Sequence, residues 1–198
     1  MRSAQQKWTH RLVVGVAVAA LLAAIGSETA ATTFARMSVA EMARRAGTVV
    51  RARCLANAIA WDGGEIWTFT TFAVQETWKG DSAGEIRIRL LGGRTNDITS
   101  TVPGVPRFRP GEDVILFLER TIRGDYSVVS WMQGTFRIRR MSPDGEESAT
   151  QDTAAFEVYD PPTRTFIAAG VRGESLQKLK MEVQSAGAAA PSEGKLTR

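Results

Sequence analysis

The chain has 198 residues, 25 basic against 21 acidic side chains, 43% hydrophobic residues, one cysteine and one histidine. That is long enough for one domain with a real core, and too poor in cysteine for a disulfide framework. The histidine, His10, lies in a leader-like stretch, so the remainder has no imidazole; this excludes Ser-His-Asp and Cys-His catalysis and the usual histidine-containing zinc sites.

Residues 1–31 read as a secretory signal: Arg2, Lys7 and Arg11, then an apolar run from Leu12 to Ile25, then small and polar residues to Ala31. The expectation is cleavage after Ala30 or Ala31, with an uncleaved N-terminal anchor as the rival. No membrane span is expected once the leader is gone. Without Arg2, Lys7, Arg11 and Glu28 the charge balance falls to 22 against 20, which argues against nucleic-acid binding driven by net charge.

Ser38 and Glu41 have capping-box spacing, predicting a short helix to about Ala46 that Gly47 ends. Residues 48–61 and 66–78 are rich in β formers and flank Asp62-Gly63-Gly64-Glu65, a hairpin turn. On the second strand Ile66, Thr68, Thr70, Phe72 and Val74 share one face, Trp67, Phe69 and Thr71 the other. Large groups on both faces predict a strand covered on both sides or curled into a barrel. Residues 85–91 alternate, with Ile86, Ile88 and Leu90 inward and Arg87 and Arg89 outward.

A 20-residue connection, Gly92 to Gly111, follows, unusually long for a compact domain. In it Pro103-Gly104 and Pro110-Gly111 favour turns, and Phe108 is expected to plug the barrel end while Arg107 and Arg109 face water. Residues 113–120 read as a buried strand, Arg123-Gly124-Asp125 as a turn, 126–131 as a returning strand, and 135–140 as a strand with Phe136 and Ile138 inward. Asp144-Gly145-Glu146 opens a polar excursion, residues 155–160 and 164–170 flank Pro161-Pro162 as a hairpin, and 174–186 form a helix with a stripe of Leu176, Leu179 and Val183. Residues 187–198 are a small-residue tail expected to be disordered.

The pattern predicts an all-β fold with minor helices: a small barrel over 32–172, one short N-terminal helix, and one C-terminal helix at 173–186; a two-sheet β-sandwich is the alternative. Cys54 is expected to be a buried core thiol. The carboxylate pairs Asp62 with Glu65, Asp81 with Glu85, and Glu112 with Asp113 sit at strand ends and lack the paired, unlike environments of acid–base catalysis. No glycine-rich phosphate cradle or serine-hydrolase elbow occurs. The expectation is no catalytic residue, no metal and no cofactor. Arg87, Arg89, Arg137 and Arg139 would form a basic stripe if their strands were neighbours, with Trp67 or Phe69 beside them. Binding is assigned to that face, through Trp67, Arg87 and Arg89, and to the loop before Phe108, through Arg94, Asn96 and Asp97.

The order of "VVRARC", "TTFAVQETWKG", "EIRIRLLGG", "VPGVPRFRPGEDVILFLE" and "YSVVSWMQGTFRI" resembles a family of bacterial exported proteins over roughly residues 38–140. That resemblance implies an architecture, not a reaction. More distantly, the order is similar to tissue inhibitors of metalloproteinases and netrin-like modules, which implies an OB-like barrel. Those inhibitors chelate zinc through a disulfide-held N-terminal cysteine; here the processed N-terminus would be Thr or Ala and Cys54 has no partner, so the mechanism does not transfer. The expected function is therefore an exported, non-enzymatic binding module, periplasmic or extracellular, that meets another exported protein or envelope component but no nucleic acid. A netrin-like inhibitor lacking the chelator and a carboxylate-only hydrolase are the alternatives.

Overall fold

In the computed structural model the described residues are 34–140, 145–153, 157–168 and 170–188. The chain divides into two compact units, Met1–Thr32 and Thr33–Arg198, and all described residues belong to the second. The leader, the Asp144 end of the polar excursion and the tail beyond Ala188 lie outside them.

Helix α1, Val39–Arg45, begins as its sequence requires. Ser38 accepts from the Glu41 amide at 3.2 Å, and the Glu41 carboxylate accepts from the Ser38 amide at 2.7 Å. It ends at Ala46 as expected, although Gly47 is not in the left-handed conformation of a glycine cap. The C-cap is Ala46 in extended geometry, and the last carbonyls are held by a distant lysine: Lys79 Nζ donates to Ala43 O at 2.6 Å and Ala46 O at 2.7 Å. A cation there also complements the negative end of the helix dipole, although burial pushes the Lys79 pKa down.

Strands β1 (Thr48–Asp62) and β2 (Glu65–Lys79) form one long hairpin. Gly63 and Gly64, at φ 63° and 82°, supply the paired left-handed conformations of a two-residue turn whose twist matches the strands. Register shifts between Val49 and Val50, Arg51 and Ala52, and Cys54 and Ala56 bend the hairpin. Strand β3 (Glu85–Leu91) runs antiparallel to β2. The long connection contains a small hairpin of its own, β4 (Gly93–Arg94) with β5 (Thr99–Ser100). Strand β6 (Asp113–Arg120) then pairs with Thr48–Arg53 of β1, and β7 (Tyr126–Val128) pairs antiparallel with β6 and parallel with β3 at Ile88. The five strands close a ring in the order β1-β2-β3-β7-β6. A ring whose third and fifth strands in chain order, β3 and β7, meet in parallel is an OB-like barrel and not a two-sheet sandwich.

Beyond β6 the sheet continues through β8 (Thr135–Arg140), β9 (Glu147–Gln151) and β12 (Glu174–Ser175). Strands β10 (Val158–Asp160) and β11 (Thr165–Ile167) form the expected hairpin around Pro161-Pro162. The sequence reading needs correction at three places. Strand β7 stops at Val128 because Ser130 and Trp131 adopt φ of 48° and 49°, which no strand continues. The residues after Gly145 form β9, a mostly polar strand on β8. Helix α2 runs from Leu176 to Ala188, because Glu174 and Ser175 are spent on pairing with β9.

Two cores meet at β6. Val114, Leu116 and Leu118 point into the barrel with Cys54, Phe72 and Ile88, while Ile115 and Phe117 point outward into a layer formed by Met42, Phe136 and Leu179. This is why residues 114–118 read as an unbroken apolar run. Leu179 and Val183 of α2 are fully buried in the outer layer, and Cys54 is buried in the inner one. Desolvation pushes the Cys54 thiol pKa up, which disfavours the thiolate that thiol chemistry needs. Phe108 closes the barrel at 5% exposure, its ring edge-on to Phe72 at 5.0 Å, and Arg107 and Arg109 face water as expected.

The chain leading into α1 is also part of the fold. Gln133 accepts from the Met37 amide at 2.9 Å and donates to Ala35 O at 2.8 Å, while Ala35 bridges to Tyr159.

Strand β1 is tied to β9 by Arg51, which donates to both carboxylate oxygens of Glu147 at 2.8 and 2.9 Å; Arg140 adds a bond at 2.7 Å. The Arg51 hydrogen bonds, then those of Arg140, hold the Glu147 pKa below its ordinary 4.5. A carboxylate depressed in the folded state contributes stability above its ordinary pKa and loses it as pH falls through the lower folded value. Urea melts are therefore expected to show Glu147→Gln costing about 1 kcal/mol near neutrality, with the cost shrinking progressively as pH falls below the ordinary 4.5. A pH-independent cost would remove this linkage.

Candidate binding surface

Pairing of β2 with β3 sets Phe69 opposite Arg89, Thr71 opposite Arg87 and Trp67 opposite Leu91 on the outside of the barrel. Each arginine leans over an aromatic ring: the Arg87 guanidinium lies 4.2 Å from the Phe69 centroid, and that of Arg89 lies 4.0 Å from Trp67. Arg87 remains exposed. Arg89 does not, and here the alternation misleads: its side chain is only 9% exposed, with Nη2 2.8 Å from Asp62 Oδ2 and Nη1 3.9 Å from Asp125. Its Nε is buried with no hydrogen-bond partner among the described residues. An arginine on an outward-facing position can still be buried, because its long stem lies flat along apolar surface.

Asp62 is shared. It also accepts from Arg123 Nη1 at 2.5 Å, and the hydrogen bonds of Arg123 and then Arg89 lower its pKa. Arg123-Gly124-Asp125 is a turn, closed by the Thr121 amide on Asp125 O at 2.9 Å, with Gly124 at φ 87° and the Thr121 hydroxyl on the Asp125 carboxylate. Between this turn and the β2–β3 face lies a cleft of about 280 Å³ lined by Trp67, Arg89, Leu91, Ile122, Arg123 and Trp131. Ile122 stands fully exposed at its rim. Trp131 is held there in a left-handed conformation, its ring 5.8 Å from Phe34 and its carbonyl accepting from the Thr135 hydroxyl at 3.1 Å.

The condition for a four-arginine stripe is not met. Strand β3 borders β2 and β7, whereas β8 borders β6 and β9, so Arg87 and Arg89 are separated from Arg137 and Arg139 by topology. Arg137 instead bridges Glu112 at 2.5 Å and Asp152 at 2.7 Å. Arg94, Asn96 and Asp97 are exposed on the β4–β5 hairpin. Arg94 lines a second cleft, of about 190 Å³, at the barrel mouth with Asn57, Ile59 and Phe108. The structure thus divides the sequence-assigned residues between two places, Trp67 and Arg89 at the first cleft and Arg94 at the second.

Sequence reasoning missed Asp62, Ile122, Arg123 and Trp131 as members of one site. Asp62 and Arg123 were read as turn chemistry and Trp131 as the end of a returning strand, and only barrel closure brings them together.

Three of the six strand-end acids are engaged by cations. Asp62 serves Arg89 and Arg123, Glu112 serves Arg137, and Asp113 lies 3.3 Å from Arg53. Every described carboxylate with a displaced pKa is displaced downward. Among the described residues no cluster of three His, Cys, Asp or Glu side chains is placed to hold a metal, and no helix is long and apolar enough to cross a membrane. No protein-family model matches the chain, and no curated protein matches it in sequence.

Proposed function

We propose that this protein is an exported, non-enzymatic binding module that grips another exported protein or an envelope component at the cleft between the β2–β3 face and the β6–β7 turn. The observation that carries the reading is Trp131. Two successive non-glycine residues in the left-handed region cost on the order of 1–3 kcal/mol each, and they hold Trp131 in the lining of the same cleft as Trp67 and the fully exposed Ile122. An apolar notch rimmed by Arg123 suits an apolar or aromatic side chain flanked by a carboxylate. Export rests on the leader pattern of residues 1–31.

Catalysis by carboxylates alone has no support here, since a general acid needs a raised pKa and the displaced carboxylates are lowered.

The test is capture from periplasmic or secreted extract with the processed protein as bait. Ile122→Asp and Arg123→Glu change exposed side chains, so folding should survive, and each is expected to weaken retention of the captured partner about tenfold or more. A bait that retains no specific partner, or variants that retain it undiminished, would defeat the proposal.

A further inference from the structure

Strand β6 closes the barrel along only part of β1. It pairs with β1 as far as Arg53, and the last backbone bonds on that side join the Cys54 amide to Glu112 O at 2.9 Å and the Gly111 amide to Cys54 O at 2.8 Å. Beyond them the Asn57 side chain spans the gap, donating to Phe108 O at 2.9 Å. Past Asn57, β1 pairs with β2 alone.

Parity shows which backbone groups this leaves open. The two-residue turn makes Asp62 and Glu65 the closing pair, so Ala58, Ala60 and Asp62 bond toward β2, while Ile59 and Trp61 turn their N–H and C=O groups to the other side. The facing loop does not meet them. The Val105 amide bonds to Val102 O, Pro106 has no N–H, and the carbonyls of Arg107 and Phe108 accept from Arg137 and Asn57. Among the described residues no bond reaches the Ile59 or Trp61 backbone from that side.

The gap between edge and loop is the cleft of about 190 Å³ at the barrel mouth. Ile59 and Thr68 wall it from the strands, Pro106 and Phe108 from the loop, and Arg94 and Arg107 complete the lining. Its volume is below the roughly 300 Å³ at which clefts take whole small molecules, so it has room for a side chain. No carboxylate lines it. Arg94 is exposed and has no partner among the described residues, and the Arg107 guanidinium donates only to Ser100 O, at 3.2 Å. Ile59 and Trp61, on one face by period two, are 44 and 56% exposed.

We propose that this slot receives an extended segment of another protein that carries an apolar side chain beside a carboxylate. The segment adds to β1 as a short strand and exchanges bonds with the Ile59 and Trp61 backbone. Its residue opposite Ile59 has its side chain on the Ile59 face, which is the cleft, and the neighbouring carboxylate meets Arg94 and Arg107. A basic or uncharged strand could make the same backbone bonds, but it would leave both arginines unmatched. Only the distal part of β1 takes part, so the pairing of Arg53 and Cys54 with residues 111–113 is undisturbed. The proposal is independent of the Trp131 cleft, to which Ile59, Arg94 and Arg107 do not belong.

The test is titration of the isotope-labelled protein with the peptide acetyl-Asp-Val-Leu-Val-Asp-amide and with its counterpart carrying lysine in place of both aspartates, followed by NMR of the backbone amides. The acidic peptide is expected to shift the Ile59, Trp61 and Arg94 amides saturably and to slow exchange of the Ile59 and Trp61 amides. The lysine peptide should bind about tenfold more weakly. Arg94→Glu changes an exposed, unpaired side chain, and it should weaken the acidic peptide about tenfold with unchanged circular dichroism. No saturable shift at millimolar peptide overturns the proposal. So do equal affinities for the two peptides, and shifts without protection of the Ile59 and Trp61 amides. Shifts confined to Ile122 and Trp131 would put the peptide in the other cleft, and would equally overturn it.

Discussion

Phe108→Ala is expected to lower the unfolding free energy by about 3–5 kcal/mol in a urea melt, the usual range for a fully buried aromatic truncation. The ring is 5% exposed, meets Phe72 edge-on at 5.0 Å and lies 5.0 Å under the Arg137 guanidinium. Its backbone carbonyl accepts from Asn57 Nδ2 at 2.9 Å, which fixes where the ring enters. Collapse cannot refill the space easily, because the residue closes one end of a ring whose strands are held by backbone pairing. Arg109→Ala, one residue on and facing water, is the control, with an expected change within about 0.5 kcal/mol. Similar midpoints for the two variants would mean that Phe108 does not seal the barrel.

Gly80→Ala is expected to cost about 3 kcal/mol or more, from two causes that add. The residue sits at φ 69°, where an alanine pays roughly 1–2 kcal/mol. An added Cβ would also lie 2.2 Å from Gly47 O and 3.2 Å from Thr48 Oγ1, so backbone must move at the joint between α1 and β1. The movement would disturb the neighbouring Lys79, whose amine closes the end of α1. Gly124→Ala separates the causes: φ is 87° but nothing lies within 4 Å of the added atom. It should show the conformational cost alone, about 1–2 kcal/mol. Equal losses at the two positions would show that the close approach to Gly47 relaxes freely.

The Lys79-Gly80 pair illustrates what could be read from the sequence. As a chain break after a long strand it was legible. Its work is tertiary, since the amine reaches back to carbonyls 33 and 36 residues earlier. Local chemistry was legible wherever it acts within a few residues: the capping box at Ser38 and Glu41, the Gly63-Gly64 turn, the alternation of Ile86, Ile88 and Leu90. Strand β9 was not, because Glu147–Gln151 lies at the margin of the sheet and buries only Ala149 and Gln151, too little to set a hydrophobic period. The candidate site was legible in part. Alternation gives the face a side chain occupies but not which strand lies beside it, so it placed Trp67, Arg87 and Arg89 together but left open whether Arg137 and Arg139 lie next to them. Asp62, Arg123 and Trp131 belong to turns separated along the chain, and no local pattern connects them.

Strand β6 has a consequence for how the molecule comes apart. It is bonded to β1, β7 and β8, and its two faces fill two different cores. Pulling it out opens the ring and strips the helical layer of its floor in the same event. The barrel and the helices packed on it are therefore expected to melt together, in one cooperative transition of the described residues.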